Sequence, residues 1–324
     1  MRRREFTTLL GASAAWPLVA RAQATPVVGV LNGQSSDTYA RYIGALRQGL
    51  SEGGYVEGQN LTIEYRWGEG HDERLAALAT DLVQHRVSVI VSGGSPTSTL
   101  AAKAATSTIP VVFTTGVDPV KLGFVASFNR PGGNLTGVAS LLNQVIPKRL
   151  ELLHQLQPNV KTVAALMNLN NPTAADKKKE LADAAQSVGL QLDVLGAGNA
   201  GEIDTAFAAM AERKPNALFV DADPFFLVNR AKIIGLAARH ALPAVYESRD
   251  YAADGGLISY GSSLVDAYRL TGTYAARVLK GESPADLPVL QPTTFELVIN
   301  LKTAKTLGLK IPQSLLVAAD EVIE

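Results

Sequence analysis

From Pro26 onward the chain alternates short apolar runs with longer segments whose apolar residues recur at helical spacing. Val27–Leu31 is a continuous apolar run of strand length, which predicts a strand buried on both faces. Tyr42, Ile43, Leu46 and Leu50 follow at helical intervals, predicting a helix over Tyr39–Glu52 that Gly53 and Gly54 end. The same reading gives strands over Leu61–Trp67, Val87–Val91 and Pro110–Phe113, with helices over Asp72–His85 and Pro96–Ala105. The cluster NRPGGN at Asn129–Asn134 is a turn. The cycle then restarts, with helices over Pro147–Leu156, Thr173–Val188, Ile203–Arg213 and Phe226–His240. Strands over Thr162–Met167, Gln191–Leu195, Ala217–Val220 and Ala244–Tyr246 alternate with them. Strand and amphipathic helix in strict alternation demand a parallel sheet covered on both faces.

The second cycle repeats the first. The strand Val27–Leu31 and its terminal Asn32 parallel Val163–Met167 and Asn168. Val89–Val91 runs through Ser92, Gly93, Gly94 and Ser95 to Pro96, as Leu218–Val220 runs through Asp221, Ala222 and Asp223 to Pro224; each is a strand entering a helix with Pro in its first position. Ala101–Ala104 leading to Ile109–Phe113 parallels Ala237–His240 leading to Leu242–Tyr246. Two similar open α/β lobes are therefore expected, with no Ser- or Pro-rich linker between them.

Open α/β sheets bind ligands beyond the carboxyl ends of their strands, where loop amides and helix N-termini point. Two facing lobes then make a cleft. One wall offers Asn32, Gly33, Ser92, Gly94, Ser95, Thr114 and Thr115, hydroxyls and amides suited to a carboxylate. The other offers Asn168, Asn170, Asp221, Asp223 and Glu247, suited to an ammonium group. A zwitterion such as an amino acid satisfies both walls and draws them together. Tyr246 and Tyr260 are either aromatic walls or core residues. Asp118, before Pro119, is either a helix cap or a ligand contact, and Asp223 reads as the cap of the helix it precedes. Asp221 and Asp223 form a D-x-D, but a metal would need more oxygen ligands close by.

Composition changes this picture mainly at the start of the chain. The 324 residues carry 30 basic and 30 acidic side chains and no cysteine. Zero net charge leaves no electrostatic footprint for nucleic acid, and a hydrophobic share of 47% excludes a disordered chain. Residues 1–22, MRRREFTTLLGASAAWPLVARA, combine a basic start, an apolar stretch too short to cross a bilayer, and a small-x-small ending at Ala20–Ala22. This is an export signal with cleavage expected before Gln23. Arg3, Arg4 and Phe6 fit the R-R-x-F core of twin-arginine signals, whereas Thr7 and Thr8 do not fit its continuation, so general secretion stays open as the route. Removing the signal's four arginines and one glutamate leaves 26 basic and 29 acidic residues, a net charge of −3. Without cysteine there is no lipid-anchor site, so a soluble, freely diffusing periplasmic monomer is expected.

Several segments together are specific. VVGVLNG, YVEGQNLTIEYRW (Tyr55–Trp67), IPVVFTTGVDPVKLGFVASFNRPGGNLTGV (Ile109–Val138) and FELVINLKTAKTLGL (Phe295–Leu309) resemble the tryptophan/tyrosine-type substrate-binding proteins of ABC transporters. The resemblance spans the mature chain. It implies the type I periplasmic binding fold, two Rossmann-like lobes joined by three crossovers near Gly137, near Ser259–Gly261 and near Val289–Pro292. Lobe one would comprise residues 26–137 and 260–288, including a helix over Leu264–Leu279, and lobe two residues 138–259 and 289–324. It further implies capture of a small polar ligand, an aromatic or branched amino acid first, and delivery to an ABC permease with its ATPase subunits. It implies no cofactor, metal or catalytic residue.

Enzymatic signatures point the same way. The sequence holds no G-x-S-x-G elbow, phosphate-loop G-x-x-x-x-G-K or H-E-x-x-H. His71, His85, His154 and His240 are scattered. A periplasmic hydrolase is the lesser alternative, and a sensor subunit presenting ligand to a membrane receptor would share both fold and signal.

Overall fold

The structure, a computed structural model, describes residues 25–292 and 294–324, so the export signal lies outside the described residues. Its first sheet contains β1 (Val27–Asn32), β2 (Thr62–Trp67), β3 (Val89–Gly93), β4 (Val111–Thr115) and β5 (Leu135–Ala139), in the order β2-β1-β3-β4-β5. All its pairings are parallel. Helices α1 (Ser36–Glu52), α2 (Leu75–Gln84) and α3 (Pro96–Ala105) connect the first four strands. The chain then passes through α4 (Ile146–Leu156) into β6 (Thr162–Met167), α5 (Ala174–Ser187), β7 (Gln191–Gly196), α6 (Ala200–Arg213) and β8 (Ala217–Val220). Next come α7 (Pro224–Val228), α8 (Arg230–Arg239), β9 (Ala244–Tyr246), α9 (Arg249–Ala253) and β10 (Ile258–Ser262). Helix α10 (Leu264–Leu279) is followed by β11 (Phe295–Asn300), α11 (Leu301–Thr306), α12 (Gln313–Ala318) and β12 (Glu321–Ile323). The second sheet runs β12-β11-β10-β9-β8-β6-β7, and its single antiparallel pairing joins β10 to β11.

The repeat seen in the sequence is a repeat of topology. In the first five strands of each sheet the order is the same, with β1 matching β6, β3 matching β8 and β4 matching β9. Alternation puts Val28, Val30, Val89, Val91 and Val112 on the face covered by α1 and α10. Leu31, Ile90, Val111 and Phe113 point to the face covered by α2 and α3. In the second sheet Ala164, Leu166, Leu218 and Val220 meet α6 and α8, while Val163, Ala165, Met167, Phe219 and Val245 meet α4 and α5. These are architectures of two layered α/β lobes.

Helix α10 returns from the second sheet to pack on α1, and the two backbones nearly touch. A Cβ added at Gly49 would fall 1.9 Å from the Arg269 carbonyl, and one at Gly272 would fall 2.2 Å from that of Leu46. Only glycine fits at either point.

β5 runs through Gly137 to Ala139, and β10 runs through Ser259 to Ser262. Leu290 still bridges to Val138 on the first sheet, so the third crossing follows it. The single helix expected over Phe226–His240 is divided at Asn229, whose side chain donates to the Phe225 carbonyl at 2.9 Å. Among the described residues no helix is long and apolar enough to cross a membrane.

Candidate functional site

The carboxyl ends of the two sheets face each other across a cavity with a volume of about 90 Å³. One water needs roughly 10–15 Å³ on that measure, so the space suits several waters or one small organic molecule. Two flanking grooves of about 560 and 220 Å³ continue along the lobe interface.

The matched strand-to-helix turns supply its two opposing ends. On one side Ser95 caps α3, accepting from the Ser98 amide at 3.2 Å, and Pro96 takes the first helical position. The turn before it requires glycine: Gly94 has φ +75°, and a Cβ there would fall 2.0 Å from Asn32 Oδ1. On the other side Asp223 caps α7 through the Phe225 amide at 2.9 Å, again with Pro in the first position. Thr114 and Thr115, at the end of β4, complete the hydroxyl wall; the Thr114 hydroxyl shares a 2.6 Å hydrogen bond with Thr271 of α10. Tyr39 and Tyr268 form an aromatic flank, edge to face at 6.0 Å, with Tyr42 stacked on Tyr268 behind them. Leu142, Leu227 and Leu264 extend the apolar surface.

Charge lies at the floor. Glu247, just beyond β9, lines the cavity, is buried, and its Oε2 has no hydrogen-bond partner among the described residues. Burial pushes its carboxyl up to about 8, with Arg149 the strongest opposing influence. Burial also raises Asp223, against the pull of Lys177 and of the hydrogen bond from Asn171. The floor therefore holds the carboxylates Asp221, Asp223 and Glu247 against the cations Lys177 and Arg149, all buried. Glu247 Oε2 is the carboxylate oxygen left open toward the cavity, and a ligand cation there would favour its ionised form.

Of the residues singled out from the sequence, Gly94, Ser95, Thr114, Thr115, Asp223 and Glu247 line the cavity together, whereas Asn32, Ser92, Asn168, Asp221 and Tyr246 do not. Asn32 stands behind the wall, where its Nδ2 lies 3.3 Å from the Tyr268 hydroxyl and its Oδ1 accepts from the Gln34 amide at 2.8 Å. Ser92 is fully buried against Thr99 at 3.0 Å. Asn168 lies in the flanking groove and donates to Asp223 at 3.3 Å. Asp221, expected to meet a ligand ammonium, is instead paired with Lys177 at 2.9 Å, beneath the cavity surface. Tyr246 stacks on Tyr251 at 4.4 Å in the core. Asp118 caps a turn, accepting from the Val120 amide at 2.8 Å, and no helix follows it.

Sequence reasoning passed over Tyr39, Lys177 and Tyr268 because each lies on a helix rather than at a strand end. The helical period could have found Tyr39 and Tyr268, since polar-tipped aromatics on the buried faces of α1 and α10 must direct their hydroxyls somewhere. Lys177 carries no such signal. It sits in the run Lys177–Lys179, and only packing shows which of the three is buried.

The lobes also touch across the cleft. Arg41 of α1 pairs with Asp250 of α9 at 2.5 Å, and the Tyr42 hydroxyl donates to the other oxygen of the same carboxylate. A single apolar cluster runs from Tyr39 and Tyr268 of one lobe to Phe226, Leu227 and Tyr251 of the other.

Comparison with known proteins agrees with this geometry. A family model described as ABC transporter substrate binding protein matches residues 27–323. A tyrosine-binding protein of Clostridioides difficile is 26% identical over 261 residues, covering 81% of this chain and 74% of the relative. Among solved structures, the ABC domain from Streptococcus pneumonia in complex with L-Trp superposes with a TM-score of 0.84 at 27% identity, covering 93% of this chain and 100% of that one. A conserved domain protein from Vibrio cholerae O1 biovar El Tor superposes with a TM-score of 0.85 at 28% identity, covering 92% and 99%. Fold, facing sheet ends and family match converge: the chain belongs to the ABC transporter substrate-binding protein family.

Proposed function

We propose that this chain is the periplasmic solute-binding component of an ABC importer, that it captures an aromatic amino acid in the inter-lobe cavity, and that it passes the ligand to a membrane permease driven by ATPase subunits. The observation that carries the reading is the placement of three chemistries around one small cavity. Glu247 presents a buried carboxylate oxygen without a partner, matched to an α-ammonium group. Ser95 and the start of α3 present a hydroxyl and a helix N-terminus, matched to an α-carboxylate. Tyr39, Tyr268 and the leucines accept an apolar or aromatic side chain. The relatives that bind tyrosine and L-Trp support the same ligand class.

Binding here needs no chemistry on the ligand. Closure removes water from the charged floor, so the ligand's ammonium replaces solvent at Glu247 while the Arg41–Asp250 pair holds the lobes together. The exported chain acts as a monomer that diffuses between outer ligand and inner permease. A thermal-shift screen of residues 23–324 against the amino acids tests the reading. A true ligand at a hundredfold over its dissociation constant adds about 2.7 kcal/mol of stability. Stabilisation by sugars or nucleotides alone would replace the ligand class.

A further inference from the structure

Below the cavity floor lies a buried cation that makes no lining contact. Arg149 of α4 is 0% exposed. Its Nη2 donates to the Leu142 carbonyl at 2.9 Å, while Nε and Nη1 have no hydrogen-bond partner among the described residues. Its guanidinium lies 5.1 Å from the centre of the Phe219 ring. Strand alternation determines what else it faces. Asp221 follows Phe219 by two positions and Glu247 follows Val245 by two, so both carboxylates continue the sheet face that α4 and α5 cover. Glu247 is the anion that acts most strongly on Arg149, and Arg149 is the charge that acts most strongly on Glu247. An apolar side chain would fill this space without the desolvation penalty of a guanidinium that keeps so few hydrogen bonds.

The other end of Arg149 meets the crossover between the lobes. Leu141 has φ +45°, a left-handed conformation that a branched side chain rarely adopts. Leu142 donates its amide to the Gly116 carbonyl of lobe one at 2.9 Å, gives its carbonyl to Arg149 of lobe two, and lines the cavity with its side chain.

We propose that Arg149 is a positioning residue for ligand capture: one buried guanidinium sets a positive charge behind the ligand-facing Glu247 and pins the crossover turn at Leu142. The proposal rests on Glu247 as the ammonium partner. The groups that act on Glu247 from neighbouring elements are Arg149 of α4, Asp221 after β8, Lys177 of α5, Tyr246 of β9, Tyr251 of α9 and Tyr39 of α1. Arg149 and Lys177 are the cations among them.

The test is the pH profile of binding, read by calorimetry with L-tyrosine and L-tryptophan for the wild type, Arg149→Met, Glu247→Gln and the double variant. In the wild type, affinity rises with pH as Glu247 ionises toward about 8. Arg149→Met moves that rise upward by about one pH unit or more and weakens binding near neutrality by about tenfold. Glu247→Gln removes the rise, and adding Arg149→Met to it leaves the profile flat. An unmoved rise in Arg149→Met would overturn the proposal. Should that variant fail to fold, Arg149→Gln, which can still donate to Leu142, is read in the same way. A ligand-free measurement separates failure of the amino-acid reading from failure of this one. Thermal stability of the unliganded protein should fall as pH rises through about 8, lose that slope in Glu247→Gln, and keep falling to higher pH in Arg149→Met. Identical slopes in the wild type and Arg149→Met would contradict the coupling even if no amino acid bound.

Discussion

At the residue scale, the two acidic positions on the second lobe have opposite duties. Asp221 and Lys177 form a buried pair at 2.9 Å, with 4% and 3% of their side chains exposed. Removing one partner leaves the other charge buried and unpaired, so Asp221→Ala should cost about 3–5 kcal/mol of stability in denaturant unfolding. Glu247→Gln keeps the shape and removes the titrating carboxyl. It should raise stability at neutral pH, where the folded state holds a proton that the unfolded chain has lost, while weakening amino-acid binding by about 1.5–3 kcal/mol, measured by calorimetry. If Asp221→Ala instead left stability intact and abolished binding, the roles assigned to the two carboxylates would be reversed. The sign of the pH effect follows from burial. A carboxyl raised in the folded state binds its proton more tightly there than in the unfolded chain, so it favours folding most at low pH and loses that contribution as pH climbs through about 8.

At the element scale, the site depends on two helix starts and one helix crossing. The turns before α3 and α7 share the strand, capping residue and proline pattern, and this was legible in the sequence because caps and N-terminal prolines are local chemistry. That Gly94, Ser95, Thr114, Thr115 and Glu247 line the cavity has a similar origin, since each lies at or just beyond a strand end in an open sheet. Asn32, Ser92 and Asn168 lie at strand ends too, yet they turn inward to hold Tyr268, Thr99 and Asp223. Period-two alternation gives the face of a strand residue but not the rotation of the turn that follows it. Strands β10 and β11 carry weaker signals: Ile258–Ser262 alternates apolar residues with Ser and Gly instead of forming an apolar run, and β11 is followed by the six-residue α11 rather than by a long amphipathic helix. The α1–α10 crossing yields a prediction of its own. Gly272→Ala places a methyl group against the Leu46 carbonyl and should destabilise the fold by about 1–3 kcal/mol, as followed by urea unfolding. A neutral result would mean that the two helices can separate at no cost.

At the scale of the whole molecule, the duplicated topology creates the cleft, and the difference between the two copies gives it polarity. Hydroxyls and a helix N-terminus come from one copy and carboxylates from the other, so a zwitterion meets complementary charge at both ends. The contact between Arg41, Tyr42 and Asp250 ties the lobes to each other across the cleft. Asp250→Asn should weaken that tie, loosen ligand binding several-fold, and increase the radius of gyration of the ligand-free protein in small-angle scattering. Unaltered scattering and affinity would remove the pair from the closing motion. The pairing across the cleft was hidden from sequence because Tyr42 and Asp250 lie 208 positions apart, and no local pattern links one to the other.

The central claim is that the cavity recognises a free amino acid by its ammonium, its carboxylate and an aromatic side chain together. The most direct measurement is calorimetric titration of residues 23–324 with L-tyrosine and L-tryptophan, beside the matching amine without a carboxylate and acid without an ammonium group. The account predicts saturable one-to-one binding of the amino acids and a loss of at least about 1.5 kcal/mol for each truncated analogue, the worth of one charge-assisted hydrogen bond. Equal affinity for the deaminated acid, or no binding of either amino acid, would contradict it.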